Sequence, residues 1–117
     1  MVMVSSAIYT KIDDDHRAAF STKIMDDMVR DDLGFSGVVI SDDLAAAAMR
    51  VLPAEDRARR FVRAGGDLLI VGDAKLAAKM ADAIKDEAED DPDFAKRIMQ
   101  SATRVVAMKE RRGLAEC

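Results

Sequence analysis

Three short apolar runs punctuate a chain whose remaining pattern is helical. They are residues 2–8 (VMVSSAI), 37–41 (GVVIS) and 67–71 (DLLIV). None alternates apolar with polar positions, so each reads as a strand covered on both faces, as in a parallel sheet. Between the first two runs, Ile24, Met25, Met28, Val29 and Leu33 share a stripe at helical spacing. Ser21 is placed to cap that helix and Gly34 to stop it. A second helix is predicted from about Pro53 to Ala64, where Gly65-Gly66 breaks it. A third follows Asp73, an N-cap candidate, and carries Leu76, Met80 and Ile84 inward. The acidic run 86–93 (DEAEDDPD) is expected to interrupt it as a solvated turn. A last helix runs from about Asp93 to Arg112, with Ile98, Val105 and Met108 inward and Gly113 as terminator.

The order is therefore β-α-β-α-β-α-α, which predicts an α/β fold of right-handed βαβ units with parallel strands and flanking helices. Three apolar strands leave two open sheet edges, and the chain opens directly inside a strand. Both features are expected of a truncated segment of a larger α/β protein. Open apolar edges also invite self-association.

Composition narrows the partners. Of 117 residues, 50% are hydrophobic and 34% charged, a globular balance with no sign of bulk disorder. With no Trp, one Tyr and four Phe, the core must be filled by Val, Ile, Leu, Ala and eight Met, the last as adaptable packing. The net charge of −4 argues against a nucleic-acid partner, which selects a basic face. Arg57, Arg59, Arg60 and Arg63 cluster, but among acids at helical spacing, so a solvated helix face is expected. No apolar run approaches the roughly 18 residues of a membrane span. The opening MVMVSSAIY lacks the charged and long apolar regions of a signal peptide, and no compartment is assigned. The single Cys117 has no partner for an internal disulfide.

The second run ends in two acids, VVISDDL (residues 38–44). Parallel α/β folds place their sites at the carboxyl ends of strands, where Asp42 and Asp43 fall, with Ser5, Ser6 and Asp73 at the ends of the other runs. Successive strand residues face opposite ways, so the two acids are expected to divide their tasks: one toward the site, one structural, bonding backbone amides or an Arg. A receiver-type phosphoacceptor also has an Asp at a strand end, but it needs a Ser or Thr and a Lys at later strand ends. Gly72, Asp73 and a Lys75 already inside a helix do not complete that set. A metal site is disfavoured because no His or Cys lies near and Asp13 to Asp15 read as an exposed turn; no metal and no cofactor are expected. The third chemistry is a carboxylate nucleophile attacking a sugar carbon.

The segment GFSGVVISDDL resembles the nucleophile segment of glycoside hydrolase family 3, in its β-N-acetylhexosaminidase branch. Residues 33–44 follow that family's Leu-Gly-Phe-X-Gly-Val-Val-Ile-Ser-Asp-Asp-Leu pattern almost throughout. VMVSSAIYTKIDDDHRAAFSTKI resembles the preceding strand and loop, RFVRAGGDLLIV the entry to the last barrel strand, and RIMQSATRVVAMKERRGL the closing helix. The resemblance implies that residues 1–117 are a partial catalytic domain, the last three β/α units of a (β/α)8 TIM barrel. It implies Asp42 as nucleophile, Asp43 as a structural acid beside it, and a possible sugar contact at Ser6, where many relatives have His. Some relatives have Pro where Thr10 stands.

The resemblance further implies a carbohydrate substrate, a terminal β-N-acetylglucosaminide such as a cell-wall muropeptide, with β-glucosidase specificity the rival within the family. The branch's proton donor is a His on a mobile, Gly-containing loop assisted by an Asp, and no such segment exists in this sequence. His16, in DDDHRAAF, does not match it and reads as an exposed turn residue. A full barrel takes about 250 residues. The chain alone is therefore expected to be inactive or nearly so, and the parent either cytoplasmic or exported. The alternative from another class is a non-catalytic α/β module that self-associates through its strand edges.

Overall fold

The strands β1 (Val2–Val4), β2 (Val39–Asp43) and β3 (Leu68–Ile70) form one parallel sheet in chain order in a computed structural model that describes residues 1–115. Cys117 lies outside the described residues. The central strand is covered on both faces, as its unbroken apolar run requires: Val38, Val39, Ile40 and Ser41 are all buried. Helices α1 (Ala54–Arg63), α2 (Ala74–Asp90) and α3 (Pro92–Arg111) flank the sheet, with a π-helix (Lys23–Asp32) and 3-10 turns at Ala18–Phe20 and Ala47–Met49. The result is an open arc of a (β/α) barrel: the order of elements predicted the parallel α/β arrangement, and the family resemblance implied the barrel.

The first strand is shorter than its apolar run. After Val4 the carbonyls of Ser5 and Ala7 are taken by the N–H groups of Ala19 and Ala18, which fold the 3-10 turn over the strand end and divert the chain into a loop. The second run shifts the other way, so that the strand takes in both acids. Ser21 caps the first helix as expected, its Oγ accepting from Ile24 N–H at 3.2 Å. That helix departs from α geometry. Leu33 N–H reaches back five residues to Met28 O at 3.0 Å. The wider register rotates the apolar stripe, and Leu33 ends 76% exposed instead of facing inward. Gly34, at φ 62°, then closes the helix, with Phe35 N–H on Val29 O at 3.0 Å.

The acidic run is not a solvated turn. Helix α2 continues through it to Asp90, and only Asp91 leaves the helix before Pro92 opens α3. Asp91 caps α3 by accepting from the N–H groups of Asp93 and Phe94. Opposite charge on α1 explains the persistence: Glu87 pairs with Arg59 and Arg63, and Arg63 also reaches Asp91. The arginine cluster is correspondingly less solvated than its pattern suggested. Arg60 is exposed, but Arg57 is buried and donates to the carbonyls of Leu44 and Leu52, both at 2.8 Å. Pro53 sits at the N-cap of α1, and its carbonyl accepts from Arg57 N–H.

The core lies between sheet and helices, built on Met25, Val39, Leu44, Met49, Phe61 and Met80. Its methionines fill irregular space, as low aromatic content requires. Gly66 lies so close to Phe61 that a Cβ there would stand 2.2 Å from the ring. At the amino end of β3 a buried carboxylate gathers distant elements. Asp67 Oδ2 accepts from Arg30 Nη2 (2.6 Å) and Val39 N–H (2.9 Å). Its Oδ1 accepts from Ser101 Oγ and Arg104 Nη1, both at 3.0 Å, with Arg97 Nη2 at 3.5 Å. On the outer side of β3, Leu69, Ile84, Ile98, Val105 and Val106 line an apolar groove. Ile98, Val105 and Met108 are therefore half-buried rather than core.

Candidate active site

Because the three strands are parallel, their carboxyl ends open on one side, and Asp42 and Asp43 stand there on the central strand. The two acids have different surroundings. Asp42 is exposed, with Oδ1 accepting from the N–H of Asp43 at 2.8 Å. Asp43 is half-buried, with Oδ1 accepting from Ala45 N–H at 2.8 Å and from Gly72 N–H at 2.9 Å. The bond from Gly72, then that from Ala45, holds the Asp43 carboxyl below the usual carboxylate range. Asp42 is thus open to a ligand, while Asp43 ties the end of β2 to the loop that leaves β3.

The strand carrying them is irregular at this point. Ile40 pairs with Leu68, but Asp43 pairs with Ile70, so β2 spends one more residue than β3 over the same interval. Ser41, fully buried, covers the gap: its Oγ accepts from Ile70 N–H at 2.9 Å. Leu44 N–H then returns the ladder to Ile70 O at 2.9 Å. Behind the loop, the Arg57 guanidinium holds the carbonyls of Leu44 and Leu52.

The other expected site residues gather less closely. Ser6 follows the end of β1, on the same side of the sheet, where its carbonyl accepts from Arg17 Nη1 at 2.8 Å. Thr10 lies beyond it in a loop that lines a shallow groove with Ile8, Tyr9, Lys11 and Ile12. His16 is half exposed, and its Nδ1 stands 3.2 Å from Asp13. Asp13 is more than an exposed turn residue. Its carboxylate accepts from Ser21 Oγ at 2.6 Å and from the N–H groups of Asp15 and His16, tying the loop to the first helix. The bond from Ser21 is the chief reason its carboxyl lies below the ordinary range. Asp73 caps α2 through the N–H groups of Lys75 and Leu76. Among the described residues no group of three or more His, Cys, Asp or Glu is placed to hold a metal ion, and no helix is long and apolar enough to cross a membrane.

Ser41, Gly72 and Arg57 are the residues that pattern reading passes over. A polar residue inside an apolar strand, directly before two acids, was a visible signal for Ser41. Gly72 directly after a strand marks a close backbone approach: a Cβ there would lie 2.9 Å from Asp43 Oδ2. Nothing local distinguishes Arg57 from its neighbours.

Chemically, the arrangement presents a carboxylate at the carboxyl end of a buried strand, with one oxygen held by a peptide N–H and the other without a hydrogen bond among the described residues. The pattern of the glycosyl hydrolase family 3 N-terminal domain matches residues 1–108. A β-hexosaminidase of Thioalkalivibrio sulfidiphilus is 36% identical over 88 residues, 74% of this chain and 25% of its own length. One from Psychromonas ingrahamii is 40% identical over 86 residues, 72% of this chain and 25% of its own length. The crystal structure of a β-N-acetylhexosaminidase from Beutenbergia cavernae superposes with a TM-score of 0.89 at 43% identity, covering 93% of this chain and 33% of that one. The chain therefore spans about a quarter of the length of the curated relatives it matches.

Proposed function

The chain belongs to glycosyl hydrolase family 3, in its β-hexosaminidase branch, and we propose that it contributes the nucleophile segment of a retaining β-N-acetylhexosaminidase, with Asp42 as the nucleophile. The observation that carries this reading is the geometry of Asp42: exposed, at the carboxyl end of the central strand, with Oδ1 held at 2.8 Å and Oδ2 without a hydrogen bond among the described residues. The residues around it resemble the family's nucleophile segment. A terminal β-N-acetylhexosaminide is the substrate class that the likeness to β-hexosaminidases supports; a terminal β-N-acetylglucosaminide, such as a cell-wall muropeptide, is the member of that class proposed for the parent enzyme.

In the proposed reaction, Asp42 Oδ2 attacks the anomeric carbon as the bond to the leaving oxygen breaks. The leaving oxygen keeps the bonding pair and takes a proton from a general acid. Water then attacks the same carbon, its proton passes to the conjugate base, and Asp42 leaves as carboxylate. In this reading the general acid is supplied by the remainder of the barrel, because the segment around His16 does not match the Gly-containing loop that carries the branch's proton donor. Ser6, on the same side of the sheet, is a sugar contact in this reading. Asp43 stays ionised but is spent on two backbone amides, which makes it structural. General acid assistance is worth about 10²–10⁴-fold, so the chain by itself is expected to turn over little or nothing.

The test is a chimera. Residues 1–108 replace the matching third of the Beutenbergia cavernae enzyme, and hydrolysis of a fluorogenic β-N-acetylglucosaminide is compared with that of the β-glucoside. Hydrolysis of the first in preference to the second, reduced at least about 10³-fold by Asp42→Asn, supports the reading. A folded, active chimera indifferent to Asp42→Asn overturns it.

The open sheet favours a second reading, a non-catalytic module that self-associates. Met3, on the outermost strand β1, is 57% exposed, and an apolar groove is lined by Leu69 of β3 with Ile84, Ile98 and Val105 of the flanking helices. Sedimentation decides it: a monodisperse monomer at high concentration removes this reading.

A further inference from the structure

We infer that Ser41, Asp43 and Gly72 act together as a positioning set for Asp42, fixing which carboxylate oxygen faces the substrate; the inference rests on Asp42 being the nucleophile. Three observations converge. The first is the extra residue in β2 between Ile40 and Asp43. A bulge of this kind interrupts strand alternation and re-aims the side chains beside it. It would leave Ile70 N–H without a ladder acceptor, and the Ser41 hydroxyl, fully buried, fills that place at 2.9 Å. The irregular strand end is therefore satisfied and rigid.

The second observation is the span of Asp43. Its Oδ1 accepts from Ala45 on its own loop and from Gly72 across the sheet. The Asp43 side chain is thus pinned from two sides, which steadies the residue whose N–H donates to Asp42 Oδ1. Asp42 Oδ1 is held by a fixed dipole and Oδ2 remains as the attacking oxygen. The third is the fit at Gly72, which has no room for a Cβ beside Asp43 Oδ2. A methyl group there pushes the carboxylate away from the N–H it accepts, although Gly72 has no hydrogen bond to Asp42 itself. None of these residues contacts a sugar in this account. They act through Asp42 and are positioning residues.

The experiment uses the labelled 117-residue chain in solution. Scalar couplings of the Asp42 side chain report its χ1 populations, and amide exchange reports the Gly72 and Ala45 hydrogen bonds. In the wild type a single Asp42 rotamer is expected. Gly72→Ala and Asp43→Ala should average the Asp42 rotamers and speed exchange of the Gly72 or Ala45 amides about tenfold or more. Asp43→Asn keeps an acceptor oxygen and should restore the single rotamer, which separates positioning from a charge effect. In the active chimera, Gly72→Ala should lower kcat by about 10–100-fold with little change in KM, the effect of a small displacement of a reacting group. A wild-type Asp42 that already samples several rotamers overturns the inference, whatever the variants do. So does a folded Gly72→Ala with an unchanged Asp42 rotamer. A folded, active chimera indifferent to Asp42→Asn, with the rotamer behaviour as expected, would instead count against Asp42 as nucleophile, leaving the geometry of the set intact.

Discussion

Replacing Asp67 by Asn should be among the most damaging near-isosteric changes in the chain. The side chain is fully buried, with Arg30 and Val39 N–H on one oxygen and Ser101, Arg104 and Arg97 on the other. An amide has one acceptor oxygen and one NH₂ group, so in either orientation the NH₂ faces a set of donors. Three guanidinium groups also lose their shared negative charge. Removing one partner of a buried ion pair costs about 3–5 kcal/mol. Arg30, Arg97 and Arg104 retain 12%, 19% and 30% side-chain exposure and can recover some hydration, which favours the lower end, about 3 kcal/mol. Against a total of roughly 5–15 kcal/mol for a domain, that is a large share. Urea unfolding followed by far-ultraviolet circular dichroism measures it. With a slope of about 1–3 kcal/mol per molar, the midpoint should fall by about 1–3 M. A midpoint equivalent to less than about 1 kcal/mol of loss, at unchanged slope, refutes the claim that this carboxylate organises the amino end of β3.

Asp91→Ala removes the α3 cap and a partner of Arg63, and should lower the urea midpoint by less than Asp67→Asn does, read by the same unfolding curve. Gly66→Ala places a methyl group against the buried Phe61 ring and should lower stability by about 1–3 kcal/mol in thermal melts. Asp43, Asp13 and Asp91 are held below the ordinary carboxylate range chiefly by Gly72 N–H, Ser21 Oγ and Phe94 N–H respectively. Their contribution is present above the unfolded value near about 4 and is lost as pH falls through the folded values, so urea midpoints should drop below about pH 4. Asp26 has the opposite sign. Burial raises its carboxyl, so its contribution is full at low pH and is lost as pH rises through the folded value. Asp26→Asn should therefore stabilise at pH 7 and lose that gain near pH 3; an equal gain at both refutes the assignment.

The parts of this structure that were legible are those set by local chemistry. Apolar runs without alternation marked the three strands, and Ser21, Gly34 and Asp73 each performed the capping or stopping role that their side chains suit. Strand alternation suggested that the paired acids divide their tasks; the structure gives them distinct surroundings, although the bulge beside them interrupts that alternation. What escaped depends on partners far along the chain. Asp67 read as the first residue of a strand, yet Arg30 and Arg104 each lie 37 residues from it. The acidic run looked like a solvated break because its neutralising arginines sit on a different helix. The bulge in β2 was invisible because it exists only relative to β3.

The placement of Asp67 and Gly72 near opposite ends of β3 has a consequence for how such a segment can change over time. The amino end is where folding is secured, and the carboxyl end is where Asp42 and its neighbours stand. A mutation that reshapes the loops after the strands meets a scaffold whose anchorage lies elsewhere, so new contacts can be sampled there without loosening the fold. The exception is the loop carrying Gly72, since any side chain admitted at that position is felt at once in the neighbouring loop. Laboratory diversification aimed at specificity should therefore spare positions 41, 42, 43 and 72 and concentrate on the loop after β1, residues 5–12, which follows the neighbouring strand on the same side of the sheet.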